Sequence, residues 1–106
     1  MKIDDILKKD SIIANLAGTN KEEVLREITG FLQELGLIKD KEILFNTLME
    51  REKLGSTGIG ENVAIPHGKS DELSQIVTVF GRSLNGVDFE SLDQKPVHFV
   101  CMVIAP

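Results

Sequence analysis

The residues best suited to chemistry lie in one run, Arg51-Glu52-Lys53-Leu54-Gly55-Ser56-Thr57-Gly58-Ile59-Gly60-Glu61-Asn62-Val63-Ala64-Ile65-Pro66-His67-Gly68. Its glycines let the main chain approach a ligand, Ser56 and Thr57 bring hydroxyl donors, and a guanidinium can clasp phosphate through two parallel hydrogen bonds. Such parts suit an anionic oxygen cluster, with phosphate the first candidate. No Gly-Lys-Ser or Gly-Lys-Thr closes the run, so it is not a nucleotide-binding P-loop and argues against a nucleotide kinase. His67 offers a nucleophile instead, because a neutral ring nitrogen can take a phosphoryl group and later release it to another acceptor. On spacing alone, plainer readings stand beside this one: a turn histidine, a solvated arginine, and a tight turn at Ser56, Thr57 and Gly58.

Other reactive side chains carry less. His98 and Cys101 make a His-x-x-Cys spacing, but residues three apart on a strand face opposite sides and cannot readily share an ion, so no metal site is expected. Cys101 reads as a buried small hydrophobe and Arg82 as a surface residue at a strand end. No cofactor is implied.

The elements that must position the run can be read from periodicity. Ile12 to Leu16 is an apolar run that reads as a strand closing at Gly18. Thr19 or Asn20 then offers an N-cap, with Glu22 or Glu23 three residues on, ahead of Val24, Leu25, Ile28, Phe31, Leu32 and Leu35 at helical spacing. Gly36 stands where a left-handed C-cap is wanted. A second helix is predicted from Lys41 to about Lys53, capped by Asp40, with Ile43, Leu44, Phe45, Leu48 and Met49 on its apolar side. The two helices read as a hairpin. The Gly55–Gly60 run reads as a loop leading into the strand Val63-Ala64-Ile65, with a turn at Pro66-His67-Gly68. Three further strands are expected at 76–80, around 87–89, and at 97–104, with Asn85-Gly86 as a turn.

The last strand is apolar at nearly every position, as in a central strand covered on both faces. A single helix hairpin covers one. The pattern therefore predicts further helices beyond Pro106, or another chain in their place, and offers the uncovered face as a surface for self-association.

The whole chain has 106 residues, 42% hydrophobic and 27% charged, which suits one small globular domain. Its 12 basic and 17 acidic residues give a formal charge of −5, opposite in sign to the footprint of a nucleic-acid binder. One cysteine cannot form an internal disulfide, and Met1-Lys2-Ile3-Asp4-Asp5 does not read as a secretory signal, so a cytoplasmic setting without membrane insertion is expected.

The run from Arg51 to His67 resembles the enzyme IIA domains of the fructose and mannitol type from the bacterial phosphoenolpyruvate-dependent sugar phosphotransferase system, including their nitrogen-regulatory relatives. The resemblance rests on Arg51-Glu52, Ser56-Thr57-Gly58-Ile59-Gly60 and Ala64-Ile65-Pro66-His67 in that order. Phe80-Gly81-Arg82-Ser83 and Asp88-Phe89-Glu90-Ser91-Leu92-Asp93 extend it along the chain.

The resemblance implies a mixed α/β fold, a central mixed sheet with an N-terminal helix hairpin, and a phosphotransferase component. His67 would accept phosphate from phospho-HPr and pass it to enzyme IIB, with fructose-type uptake as the leading function. Arg51 would lie near the phosphohistidine, where its charge would neutralise phosphate, and Ser56, Thr57 and Gly58 would bind the phosphate. The nitrogen-regulatory reading is the alternative, in which the phosphorylation state is read by other proteins. The family's domain is longer and carries a second active-site histidine beyond the strand matching Val97 to Ile104, so residues 1–106 are expected to be a partial, C-terminally truncated domain whose last helices are missing.

Overall fold

Caps and spacing decide the helices. In the computed structural model, which describes residues 12–106, helix α1 spans Lys21–Glu34 and α2 spans Lys41–Lys53. Asn20 is the cap of α1: its side-chain oxygen accepts the Glu23 N–H at 2.9 Å. Glu23 returns the favour one residue upstream, accepting from the Thr19 N–H at 2.8 Å and hydroxyl at 2.9 Å. Those bonds favour the ionised form and hold the Glu23 carboxyl below its usual range. Past the C-cap Leu35, Gly36 takes φ +77°, which a side chain would resist. Asp40 caps α2 by accepting from the N–H groups of Glu42 and Ile43.

The strands are β1 (Ile12–Ile13), β2 (Gly58–Gly60), β3 (Val63–Ala64), β4 (His67–Lys69), β5 (Val77–Val87) and β6 (Val97–Ala105). They form one mixed sheet in the order β1-β5-β6-β3-β2, with β4 also paired to β6. β5 and β6 are antiparallel, while β1 lies parallel to β5 and both β3 and β4 lie parallel to β6. The fold is thus the expected mixed α/β arrangement with two consecutive packed helices. Val24, Leu25, Ile28 and Leu32 of α1, with Leu44, Phe45 and Leu48 of α2, are buried in one cluster with Val79 of β5 and Val100, Met102 and Ile104 of β6. Each such side chain contributes about 1.5–3 kcal/mol relative to exposure. The other alternation of β6 is less covered: Cys101 and Val103 are half-buried and Phe99 is 41% exposed.

Several local expectations are corrected. The strand expected from Ile12 to Leu16 pairs only at Ile12–Ile13, although the Leu16 N–H still reaches the Arg82 carbonyl at 2.8 Å. Ile43 points to solvent, so the apolar side of α2 is narrower than its sequence suggests. Gly58–Gly60 is a strand and not a loop, paired to β3 through a register shift. Asn85-Gly86 does not separate two strands, because β5 runs through it to Val87. Arg82 sits opposite Phe99 and Val87 opposite Val97, so β5 carries extra residues there. Gly86 at φ +91° and its N–H bond to the Ser83 hydroxyl shape that bulge. The Asn-Gly pair meets a need for positive φ, and a bulge has that need as much as a hairpin does.

Candidate functional site

The last turn of α2 delivers two neighbouring side chains to different places. Arg51 is half-buried and donates from Nη1 to the Gly55 carbonyl at 2.9 Å and from Nε to Nε2 of His67 at 3.3 Å. Glu52 turns inward and is buried. His67 opens β4 instead of sitting in a turn, with its residue paired to Val103 of β6 and the preceding Pro66 carbonyl accepting the Val103 N–H at 3.0 Å. This pairing fixes the backbone under an exposed imidazole.

The ring's protonation pattern follows from its partners. Nδ1 lies 3.0 Å from the Ile65 carbonyl oxygen, which can only accept, so Nδ1 carries the proton. Nε2 then keeps its lone pair, and the Arg51 Nε–H points at it. A neutral imidazole with one nitrogen anchored and the other presented beside a guanidinium is suited to nucleophilic attack on an anionic group.

The sequence-predicted phosphate contacts are arranged differently. The Ser56 hydroxyl donates to the Phe89 carbonyl at 2.8 Å and accepts from the Gly58 N–H at 3.0 Å. Thr57 is buried and gives both its donors to Glu52, its N–H to Oε1 at 3.0 Å and its hydroxyl to Oε2 at 2.6 Å. The two hydroxyls and the N–H groups of Thr57 and Gly58 are therefore bonded within the loop. Gly58 allows a close crossing: a Cβ there would lie 3.0 Å from the Ser91 Cα.

Sequence reasoning missed Lys21 and the inward side of Glu52. Lys21 Nζ lies 3.2 Å from Glu52 Oε1, and both side chains are nearly inaccessible. The pair left no local signal, because charged residues are ordinarily solvated and an opening lysine opposes the helix dipole. Arg82 is exposed and donates to the Ala14 carbonyl at 3.3 Å, away from His67. His98 is half-buried, with Nδ1 beside the Ser83 carbonyl at 2.8 Å. Burial pushes the Cys101 thiol pKa up. A cleft lined by Asp88, Glu90, Ser91 and Lys95 includes neither Arg51 nor His67. No helix among the described residues is long and apolar enough to cross a membrane.

Residues 5–106 match the sequence profile of the family described as phosphoenolpyruvate-dependent sugar phosphotransferase system, EIIA 2. The chain is 41% identical over 105 residues to a fructose-specific EIIABC component of the phosphotransferase system from Bacillus subtilis, covering 99% of this chain and 16% of that protein. It is 38% identical over 106 residues to a nitrogen regulatory protein from Bradyrhizobium diazoefficiens, covering 100% of this chain and 69% of that one. Among solved structures, the nitrogen regulatory protein IIA-Ntr from Neisseria meningitidis superposes with a TM-score of 0.85 at 33% identity, over 98% of this chain and 70% of that one. The mannitol enzyme IIA in complex with phosphorylated mannitol enzyme IIB from Escherichia coli superposes with a TM-score of 0.78 at 26% identity, over 93% of this chain and 69% of that one.

Proposed function

This chain belongs to the EIIA 2 family of the phosphoenolpyruvate-dependent sugar phosphotransferase system, and we propose that it carries a phosphoryl group on Nε2 of His67. The observation that carries the reading is the Arg51 Nε–H directed at Nε2 of His67 at 3.3 Å, a geometry in which Nε2 accepts. The Nε2 lone pair forms a bond to the phosphorus of phospho-HPr as the bond from that phosphorus to the donor imidazole breaks, its electrons returning to the donor ring. The Nδ1 proton stays in place throughout. Its bond to the Ile65 carbonyl stabilises the positive charge that the ring gains, while Arg51 moves from Nε2 to the phosphoryl oxygens and offsets their charge. Ser56, Thr57 and Gly58 act by holding the loop that carries Gly55, the residue on which Arg51 rests.

The onward acceptor is an enzyme IIB, as the complex of the Escherichia coli relative suggests. The exposed apolar residues Leu54 and Ile59, on the segment that follows Arg51, are suited to contact such partners. Sugar uptake of the fructose type is our first reading, on the Bacillus relative at 41% identity. The nitrogen-regulatory reading is the second, favoured by the similar 38% identity to the Bradyrhizobium protein and by the Neisseria superposition.

Incubation with phosphoenolpyruvate, enzyme I and HPr should leave an acid-labile phosphoryl group on the parent and none on His67→Ala. A His67→Ala variant that labels as strongly as the parent would sink the assignment. Passage of the label to a fructose enzyme IIB with sugar phosphate appearing is expected for uptake, and its failure with labelled protein favours regulation.

A further inference from the structure

The buried charges behind the candidate site form a closed circuit that the phosphoryl-transfer reading does not use. Lys21 Nζ meets Glu52 Oε1 at 3.2 Å, and Glu52 holds both donors of Thr57. The adjoining Ser56 hydroxyl donates to the Phe89 carbonyl at 2.8 Å, and the Phe89 ring lies under Lys21 Nζ at 5.4 Å from its centre. The start of α1, the end of α2, the 55–57 loop and the segment after β5 are thereby tied at one point.

A buried ion pair is a poor choice for stability alone, since apolar residues of similar volume often serve as well or better. Its position next to Arg51 suggests another use. Successive residues on a helix are about 100° apart, so Glu52 grips the loop from the inside at Thr57 while Arg51 grips it from the outside at the Gly55 carbonyl. With Thr57 released from the carboxylate, Gly55 keeps only its N–H bond to the Glu52 carbonyl at 3.1 Å, and the Thr57 carbonyl its bond from the Ile65 N–H at 3.0 Å. The side-chain clamp between them is gone, and the Gly55 carbonyl that aims the Arg51 Nε–H at His67 is less firmly set.

We infer that Glu52, charged and held by Lys21, is a positioning residue that sets Arg51 against Nε2 of His67 by clamping Thr57. This rests on the reading of His67 as the phosphoryl carrier. Neither Glu52 nor Lys21 is placed in contact with phosphate. Their effect passes through the loop.

The test compares Thr57→Val, which keeps the shape and removes the hydroxyl, with Thr57→Ser, which keeps the hydroxyl. Labelling rates are measured against phospho-HPr concentration, and the ring nitrogens of His67 are followed by NMR. Thr57→Val should lower the maximal rate by about tenfold or more, in keeping with the sensitivity of reacting geometry to ångström-scale misplacement, with the half-saturating HPr concentration unchanged. Its Nε2 resonance should move as the arginine contact is lost, and Thr57→Ser should restore both. Glu52→Gln should act in the same direction and serves as the second variant if Thr57→Val does not fold. A folded Thr57→Val or Glu52→Gln that labels at the parent rate with an unmoved Nε2 resonance overturns the inference while leaving His67 as carrier. A parent that takes no label overturns the carrier reading, and the Nε2 resonance then decides the positioning claim: unmoved in the variants, it fails.

Discussion

At the scale of single residues, geometry separates side chains that a motif groups together. Arg51, Ser56, Thr57 and His67 all belong to one signature, yet only Arg51 and His67 meet. Ser56 and Thr57 face inward because each finds a partner there, a carbonyl for one and a carboxylate for the other. Turning Thr57 toward a phosphate would leave the buried Glu52 carboxylate short of its donors, at a cost of about 1–3 kcal/mol or more. Arg51→Met should therefore lower the labelling rate by about 10²–10³-fold, the loss typical of one well-placed donor to a developing charge. The variant should keep the parent's melting temperature, because Arg51 is only half-buried. A rate within twofold of the parent, about 0.4 kcal/mol, would remove Arg51 from the reaction.

At the scale of elements, legibility followed the range of the bonds involved. The second helix was read to its end residues because Asp40, its cap, acts within three positions. The first was read nearly as well, though only the folded structure separates Thr19 from Asn20: Asn20 caps, and Thr19 is what Glu23 reaches back to. The short strands β2 and β4 were not legible, since three residues form a strand only when a neighbour offers its edge, β3 for β2 and β6 for β4. Asn20→Ala should cost about 1 kcal/mol of unfolding free energy by chemical denaturation. The Glu23 carboxyl titrates lower in the folded state than in the unfolded chain, because Thr19 donates to its ionised form. Its contribution is thus present above the ordinary glutamate range and is lost as pH falls through its lowered value. In Glu23→Gln that part of the acid dependence should vanish, and an unchanged pH profile of stability would contradict the assignment.

At the scale of the whole molecule, β6 organises both the core and the site. Val100, Met102 and Ile104 bury one of its sides completely, while Val103 sets the register of His67. Core and chemistry share a strand but use different faces of it. Met102→Ala should cost about 2–5 kcal/mol of stability, and at a temperature where the variant remains folded its labelling rate should match the parent's. A slowed rate in the folded variant would mean that core packing reaches the imidazole.

Helix ends, the apolar last strand and a phosphate-type block were all readable from the chain, because caps, periodicity and residue chemistry act between neighbours. The meeting of Arg51 and His67 across 16 residues was expected only through the family resemblance, and the inward turn of Ser56 and Thr57 and the buried pair of Lys21 and Glu52 were not expected at all. Those depend on which strand edge and which buried donor lie opposite, and such choices exist only once distant segments have packed.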